Sequence, residues 1–169
     1  MTDGFTQGNP TWYGTDGRHS GFLAFNGVNQ FVILDRSLCD LAQITVAAWV
    51  KWSGGTGNQP VFYLGTGTAN GMFVTPDDGT GHAQFSITRN GATQALSWSS
   101  PLPVGKWTHV AGTLDGTNAA FYVKRDPRRN HRQHQSRGSI SRPKFRHRLA
   151  TKLSRARSRQ FVAIFPGCD

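Results

Sequence analysis

The sequence predicts an all-β fold, a two-sheet antiparallel β-sandwich followed by an irregular basic tail. Three observations support this prediction. Short runs of residues alternate between apolar and polar, which is typical of strands with one buried face. Turn signals built from Asn-Gly and Asp-Gly recur at spacings near ten residues, in a chain that contains 20 glycines. No segment keeps a helical period.

The clearest element is a hairpin over Gly105–Val123. Its two apolar runs, Trp107–Leu114 and Ala119–Val123, are separated by an Asp-Gly turn. Alternation places Thr108, Val110 and Leu114 on one face and Trp107, His109, Ala111 and Thr113 on the other. Because both faces carry bulky side chains, we expect the hairpin to lie inside a sandwich with neither face wholly exposed to water.

Further strand signals precede this hairpin, each bounded by a turn signal. In chain order they are Gly21–Phe25, Gln30–Asp35, Ile44–Trp52, Pro60–Gly65, Met72–Thr75, Ala83–Thr88 and Thr93–Ser99. The alternation in the central strand and in the hairpin predicts that Val46, Val50, Val110 and Leu114 form part of the core.

The charge distribution divides the chain at one position. Residues 1–123 carry five basic side chains and seven aspartates, a net charge of −2, whereas residues 124–169 have a net charge of +12. We therefore predict a lead-in over 1–20, one folded domain over 21–123, and a basic tail of low order over 124–169. The sequence shows no apolar run long enough to span a membrane and no signal peptide.

Three strings carry a resemblance to a known family: GFLAFNGVNQFVIL, ITVAAWVKW and GKWTHVAGTLDGTNAAFYV. In this order and spacing, from Gly21 to Val123, the chain resembles the laminin-G-like, concanavalin-A-like jelly-roll domains of bacterial extracellular proteins. The resemblance implies a jelly roll that is incomplete here, since such domains usually have an additional strand before Asn9-Pro10-Thr11-Trp12 and several more after Val123. It also implies an extracellular or cell-surface location as part of a larger protein.

Two interpretations of residues 124–169 remain open. Clustered Arg and Lys suit nucleic acid or another anionic surface. Alternatively, the segment is encoded in a shifted reading frame, because codons that specify Lys124 to Gln135 can also specify NGTRVGITGSIN one nucleotide along, as the family would continue. Because the segment has little apolar surface to offset its ordering cost, we expect it to add no strand to the sandwich.

Catalysis is not expected. Glycosidases that share this sandwich use paired carboxylates, usually glutamates, and all nine acidic residues of this chain are aspartates with no Asp-x-Asp pair. His109 beside Trp107 matches a strand position of non-enzymatic members, which predicts a structural histidine. Lipase-type, P-loop and zinc motifs are absent from the sequence.

Four aromatic residues are candidates for stacking on sugar rings, with core packing as the alternative role: Trp12, Tyr13, Trp52 and Trp98. Trp49 and Trp107 lie in mid-strand and are assigned to sheet packing. Asp77 and Asp78 could contribute oxygens to a calcium ion, although calcium takes six to eight of them, so a solvated turn is the alternative.

The sequence therefore predicts a recognition module that binds a polysaccharide or other glycan, or mediates adhesion, next to other domains of a secreted protein. Two alternatives from different classes remain. One is a basic-tailed binder of nucleic acid or of an anionic surface, and the other is a structural spacer domain.

Overall fold

The computed structural model describes residues 4–14, 21–35, 38, 41–55, 59–66, 69–125, 134–139 and 162–164. These ranges contain thirteen strands and no α-helix, and within them no helix is long and apolar enough to cross a membrane. The strands are β1 Phe5–Gln7, β2 Thr11–Tyr13, β3 Phe22–Ala24, β4 Phe31–Ile33, β5 Gln43–Lys51, β6 Phe62–Thr66, β7 Asn70–Thr75, β8 Gln84–Arg89, β9 Ala92–Ser97, β10 Trp107–Asp115, β11 Asn118–Arg125, β12 His134–Ser139 and β13 Val162–Ile164.

The larger sheet has seven strands in the order β12-β11-β10-β5-β13-β3-β2. At its centre β10 pairs antiparallel with β5 on one side and with β11 on the other. The central residues of the β10–β11 turn are Gly116 and Thr117, and the positive φ of Gly116, 61°, is what a type II′ turn requires at its first central position. The predicted hairpin is confirmed, with its register fixed by this turn.

The smaller sheet is an antiparallel meander in the order β6-β7-β8-β9. Its β8–β9 connection is the predicted Asn90-Gly91 turn, in which both residues have positive φ, 49° and 81°. This pair of values is the type I′ geometry that matches the twist of the flanking strands. A separate two-stranded ribbon joins β1 and β4.

The core lies between the two large sheets, as the all-β sandwich prediction requires. Val50, Val110 and Leu114 are buried as predicted, whereas Val46 is only half-buried. Val46 is the ladder partner of Gly112, over which the ring of Phe85 from the opposite sheet lies. The buried apolar residues that complete this core include Leu64, Met72, Val74, Ile87, Leu102, Phe121 and Val123.

The strands extend beyond the predicted domain limits on both sides. Before residue 21, β2 pairs with β3 and β1 pairs with β4. After residue 123, β12 pairs with β11, and β13 lies between β3 and β5.

The expectation that residues 124–169 add no strand is therefore wrong for two segments, His134–Ser139 and Val162–Ile164. The physical reason is that a strand ladder is made by backbone groups. The edge of β11 can therefore pair with a segment as polar as β12. The remaining residues of the tail lie outside the described ranges.

Candidate functional site

Tyr13 lies at the edge of the larger sheet and has one ring face covered. Its ladder partner on β3 is Phe22, and the two rings stack with centroids 4.7 Å apart and planes 13° apart. Tyr13 is nevertheless 48% exposed. Because Phe22 covers one face of the tyrosine ring, the exposed area belongs to the rest of the side chain, which comprises the other face, the ring edge and the hydroxyl group.

Phe22 is held in turn by the central strands. The Trp107 and Phe22 rings meet edge-to-face, at a centroid distance of 5.6 Å and an interplanar angle of 73°. Offset stacking and edge-to-face contact are the two arrangements that aromatic rings prefer. The contacts on both sides of Phe22 therefore fix the orientation of the Tyr13 ring.

The same side of the sheet carries a second aromatic contact. Trp49 on β5 and His109 on β10 are ladder partners, and their rings meet at 5.3 Å and 63°. Their strand neighbours Val50 and Val110 point into the core, so alternation places Trp49 and His109 on the outer side. We call the set Tyr13, Phe22, Trp107, Trp49 and His109 the aromatic row.

The aromatic row differs from an ordinary outer sheet face. An antiparallel sheet normally exposes polar side chains on its solvent side. In this sheet one outer position each of β2, β3 and β5 and two of β10 carry rings, and four of these five residues are half-buried. Lys51, the exposed ladder partner of Trp107, adds a cation beside them.

Trp12 does not belong to the aromatic row. It precedes Tyr13 on β2, so its side chain lies on the opposite face of that strand. Its indole packs against Gly21, where an added Cβ would lie 2.6 Å from the ring, and the residue is 64% exposed. The structure therefore separates two aromatic residues that the sequence had grouped.

The burial of Trp52 removes it from the residues that the sequence offered for stacking on sugar rings. It is only 4% exposed, and its indole Nε1 donates a hydrogen bond of 2.8 Å to Oε1 of buried Gln59. The ring is therefore part of the core and cannot receive a sugar. Trp98 is half-buried and packs against the core, which favours the packing role.

The Asp77 and Asp78 side chains stabilise the turn in which they lie by hydrogen bonds. Oδ1 of Asp77 accepts hydrogen bonds from the backbone N–H of Gly79 and Gly81. Oδ1 of Asp78 accepts from the N–H and hydroxyl of Thr80 and from the N–H of His82. These donors occupy Oδ1 of both carboxylates.

The described residues also contain no group of three or more His, Cys, Asp or Glu side chains placed to hold a metal ion. The geometry therefore supports the turn-stabilising role of Asp77 and Asp78. Calcium binding stays a prediction.

The pKa of Asp78 reflects this environment. Burial by itself raises the pKa of the carboxyl group. The hydrogen bonds from Thr80 and His82, with the charge of the His82 ring, outweigh burial and bring the pKa below its ordinary value of 3.8. Asp78 therefore titrates as a well-bonded carboxylate, unlike a catalytic acid, whose pKa is raised.

Sequence reasoning missed Phe22 as a site residue, assigned Trp49 and Trp107 to sheet packing and predicted a structural role for His109. A signal was available for Trp107, because alternation put it on the face opposite Val110 and Leu114. No signal linked Phe22 to Tyr13, since their pairing depends on how two very short strands meet.

A family profile described as the concanavalin A-like lectin/glucanases superfamily, of the laminin G type, matches residues 25–134. No curated protein matches the sequence.

Two solved structures are similar in fold. A protein of unknown function from Shewanella oneidensis superposes with a TM-score of 0.51 at 11% identity, over 96% of this chain and 70% of that one. The carbohydrate-binding module CBM66 from Bacillus subtilis superposes with a TM-score of 0.47 at 16% identity, over 97% of this chain and 88% of that one. At 11% identity the likeness to the Shewanella oneidensis protein concerns the fold alone.

Proposed function

Because the chain belongs to the concanavalin A-like lectin/glucanases superfamily, we propose that it is a non-catalytic module that binds carbohydrate through the aromatic row. One observation carries this proposal. Tyr13 is 48% exposed, while stacking on Phe22 fixes the orientation of its ring.

A fixed, half-exposed ring suits a sugar for two physical reasons. The C–H groups on the flat side of a pyranose are weakly positive, and the face of an aromatic ring is negative, so the two surfaces attract each other and exclude water. A ring whose orientation is already fixed also loses little conformational freedom when the ligand arrives. Tyr13 meets both conditions.

The acidic residues support binding over hydrolysis. Cleavage of a glycosidic bond takes two carboxyl groups on either side of the bond, about 5–10 Å apart. On the outer side of β5 and β10 the described carboxylate is Asp115, and its Oδ1 accepts a 2.6 Å hydrogen bond from Gln43. Asp77 and Asp78 are used within their own turn, and the sequence contains no glutamate.

The proposed context is a larger secreted or cell-surface protein, in which this domain keeps neighbouring domains close to a polysaccharide. A weak single site suffices for that role. Attachment raises the effective concentration of the neighbouring domains near the polymer without further contacts.

The test is retention of the pure chain on immobilised polysaccharides, followed by variants measured on the polymer that retains it best. We expect Tyr13→Ala to weaken binding by at least about tenfold, as for a central aromatic contact. Tyr13→Phe keeps the ring and should bind nearly as well as the parent.

Trp12→Ala is the matched control, because it removes an exposed aromatic side chain from the same strand but from its other face. It should leave binding unchanged. If Trp12→Ala weakens binding and Tyr13→Ala does not, the site lies elsewhere on the domain.

A further inference from the structure

We propose a second carbohydrate-binding surface on the outer side of the four-stranded sheet, formed by Tyr63 and Phe73, which makes the domain bivalent. This inference rests on the proposed function of the aromatic row. We call the pair Tyr63 and Phe73 the aromatic floor.

The Tyr63 ring lies along the sheet because two glycines leave space for it. Gly65 and Gly71 are ladder partners on β6 and β7. A Cβ added to Gly71 would lie 2.5 Å from the Tyr63 hydroxyl oxygen and 2.7 Å from two ring carbons. A Cβ added to Gly65 would lie 2.9 Å from the same hydroxyl oxygen. The ring therefore occupies the space directly above the backbone, with one face toward the sheet.

A hydrogen bond and a second ring fix this arrangement. The Tyr63 hydroxyl donates to the backbone carbonyl oxygen of Asn70 at 3.2 Å. Phe73, the ladder partner of Tyr63, has its ring centroid 6.3 Å away with planes only 27° apart. Leu64 and Met72, their strand neighbours, are buried in the core, so the two rings lie on the outer side.

Polar side chains border the aromatic floor on the next strands. Ser86, the ladder partner of Phe73, donates a 2.6 Å hydrogen bond to Oε1 of Gln84. Nε2 of Gln84 donates to Asp78 at 3.3 Å and to the Ser97 hydroxyl at 3.2 Å. The result is a pair of half-buried rings with nearly parallel planes, beside a fixed polar margin in which Ser86 is itself fully buried.

This combination favours a sugar over an apolar partner. A pyranose has an apolar flat side and hydroxyl groups around its rim, which both donate and accept hydrogen bonds. It can stack on the floor while its hydroxyls meet the margin at Gln84 and Asp78. An apolar peptide or acyl chain would instead cover the Asp78 carboxylate, whose Oδ2 accepts one hydrogen bond, from Gln84, and would give this charge no further partner, which is unfavourable.

The two surfaces point away from each other. The aromatic row lies on the outer side of the seven-stranded sheet and the aromatic floor on the outer side of the four-stranded sheet, with the shared core between them. Two separate polysaccharide chains can therefore bind at the same time. The domain would link chains as well as attach to them.

The experiment measures stoichiometry and cross-linking with oligosaccharides and polymer from the polysaccharide retained best among a β-glucan, a xylan and a mannan. Calorimetric titration with a short oligosaccharide should give two ligands per wild-type chain, and one in Tyr13→Ala or in Tyr63→Ala. Wild-type chain should precipitate the soluble polymer, and both variants should fail to do so.

Two further variants separate the surface from general effects. Tyr63→Phe keeps the ring on the two glycines and should keep two ligands per chain. Phe5→Ala removes an exposed aromatic side chain of the β1–β4 ribbon and should also keep both. If Tyr63→Ala loses its fold by circular dichroism, Phe73→Ala takes its place with the same expected loss of one ligand.

The possible failures are distinguishable. One ligand per wild-type chain, lost in Tyr13→Ala and unaffected by Tyr63→Ala, would overturn the second surface and leave the proposed function in place. Absence of binding to all three polysaccharides would count against the proposed function itself and against the inference with it.

Discussion

At the scale of single residues, the side of the strand on which a side chain lies decides its role. Trp52 directly follows β5 and has the same parity as Val50, so the alternation that predicted a buried Val50 could also have placed Trp52 on the core side. The sequence therefore contained the signal that removes Trp52 from the candidate site. The stack of Tyr13 on Phe22 could not be predicted, because the pairing of β2 with β3 leaves no pattern in so short a strand.

Asp78 gives a prediction about pH at the same scale. Its pKa in the folded chain lies below the ordinary value of 3.8, so folding favours the charged form. The stabilisation is fully present above that ordinary value and is lost as the pH falls through the lowered pKa of the folded state. Asp78→Asn removes the charge and with it this pH dependence.

The free energy of unfolding of wild type and Asp78→Asn, from urea titrations between neutral pH and about pH 2, checks this prediction. The advantage of the wild type should be fully present near pH 5 and should shrink as the solution becomes more acidic. A difference that stays the same across the whole range would show that the turn does not depend on the charge of Asp78.

At the scale of elements, turns and alternation predicted nine strands correctly, from Phe22–Ala24 to Asn118–Arg125. The Asn90-Gly91 and Gly116 turns fix two hairpins by their backbone geometry, which the residue types reveal directly. The strands that the sequence did not predict are β1, β2, β12 and β13. Three of these have only three residues, too few to show alternation, and β12 pairs through a backbone ladder that does not depend on apolar side chains.

Gly112 gives the prediction at this scale, since it sets how closely the two sheets approach. A Cβ at this position of β10 would lie 2.9 Å from two ring carbons of Phe85, which is 1% exposed. Gly112→Ala should lower the free energy of unfolding by about 1–3 kcal/mol, because the buried ring has to move.

The double variant Gly112→Ala with Phe85→Leu supplies the control. The smaller side chain makes room for the new methyl group, so the two substitutions together should cost less than the sum of their separate costs. Chemical denaturation measures these costs. The close packing would be contradicted if the losses of unfolding free energy simply added, or if Gly112→Ala were as stable as the wild type.

At the scale of the whole molecule, the basic segment after residue 125 has a structural role in two places. β13 pairs with both β3 and β5, and β12 covers the edge of β11. A chain that ends at Arg125 would lose both strands. It would then expose one edge each of β3, β5 and β11 in the larger sheet. We expect this truncated chain to melt at a lower temperature and to associate more readily than the full chain.

Calorimetry and light scattering on the two chains check this prediction. Equal melting temperatures would mean that the two strands contribute nothing to stability, as the composition of the segment had suggested. The shifted reading frame remains a hypothesis that the encoding DNA around codon 124 tests directly. A chain with the frame restored should then melt above the present one.

The central claim is that this domain binds carbohydrate at the aromatic row. The most direct measurement is an NMR titration of the labelled chain with a short oligosaccharide of the polysaccharide that retains it best. The account predicts dose-dependent shifts of the Tyr13 and Phe22 ring signals and of the Trp107 indole N–H, and little change at Trp12. Binding that leaves the Tyr13 and Phe22 signals unmoved would contradict it.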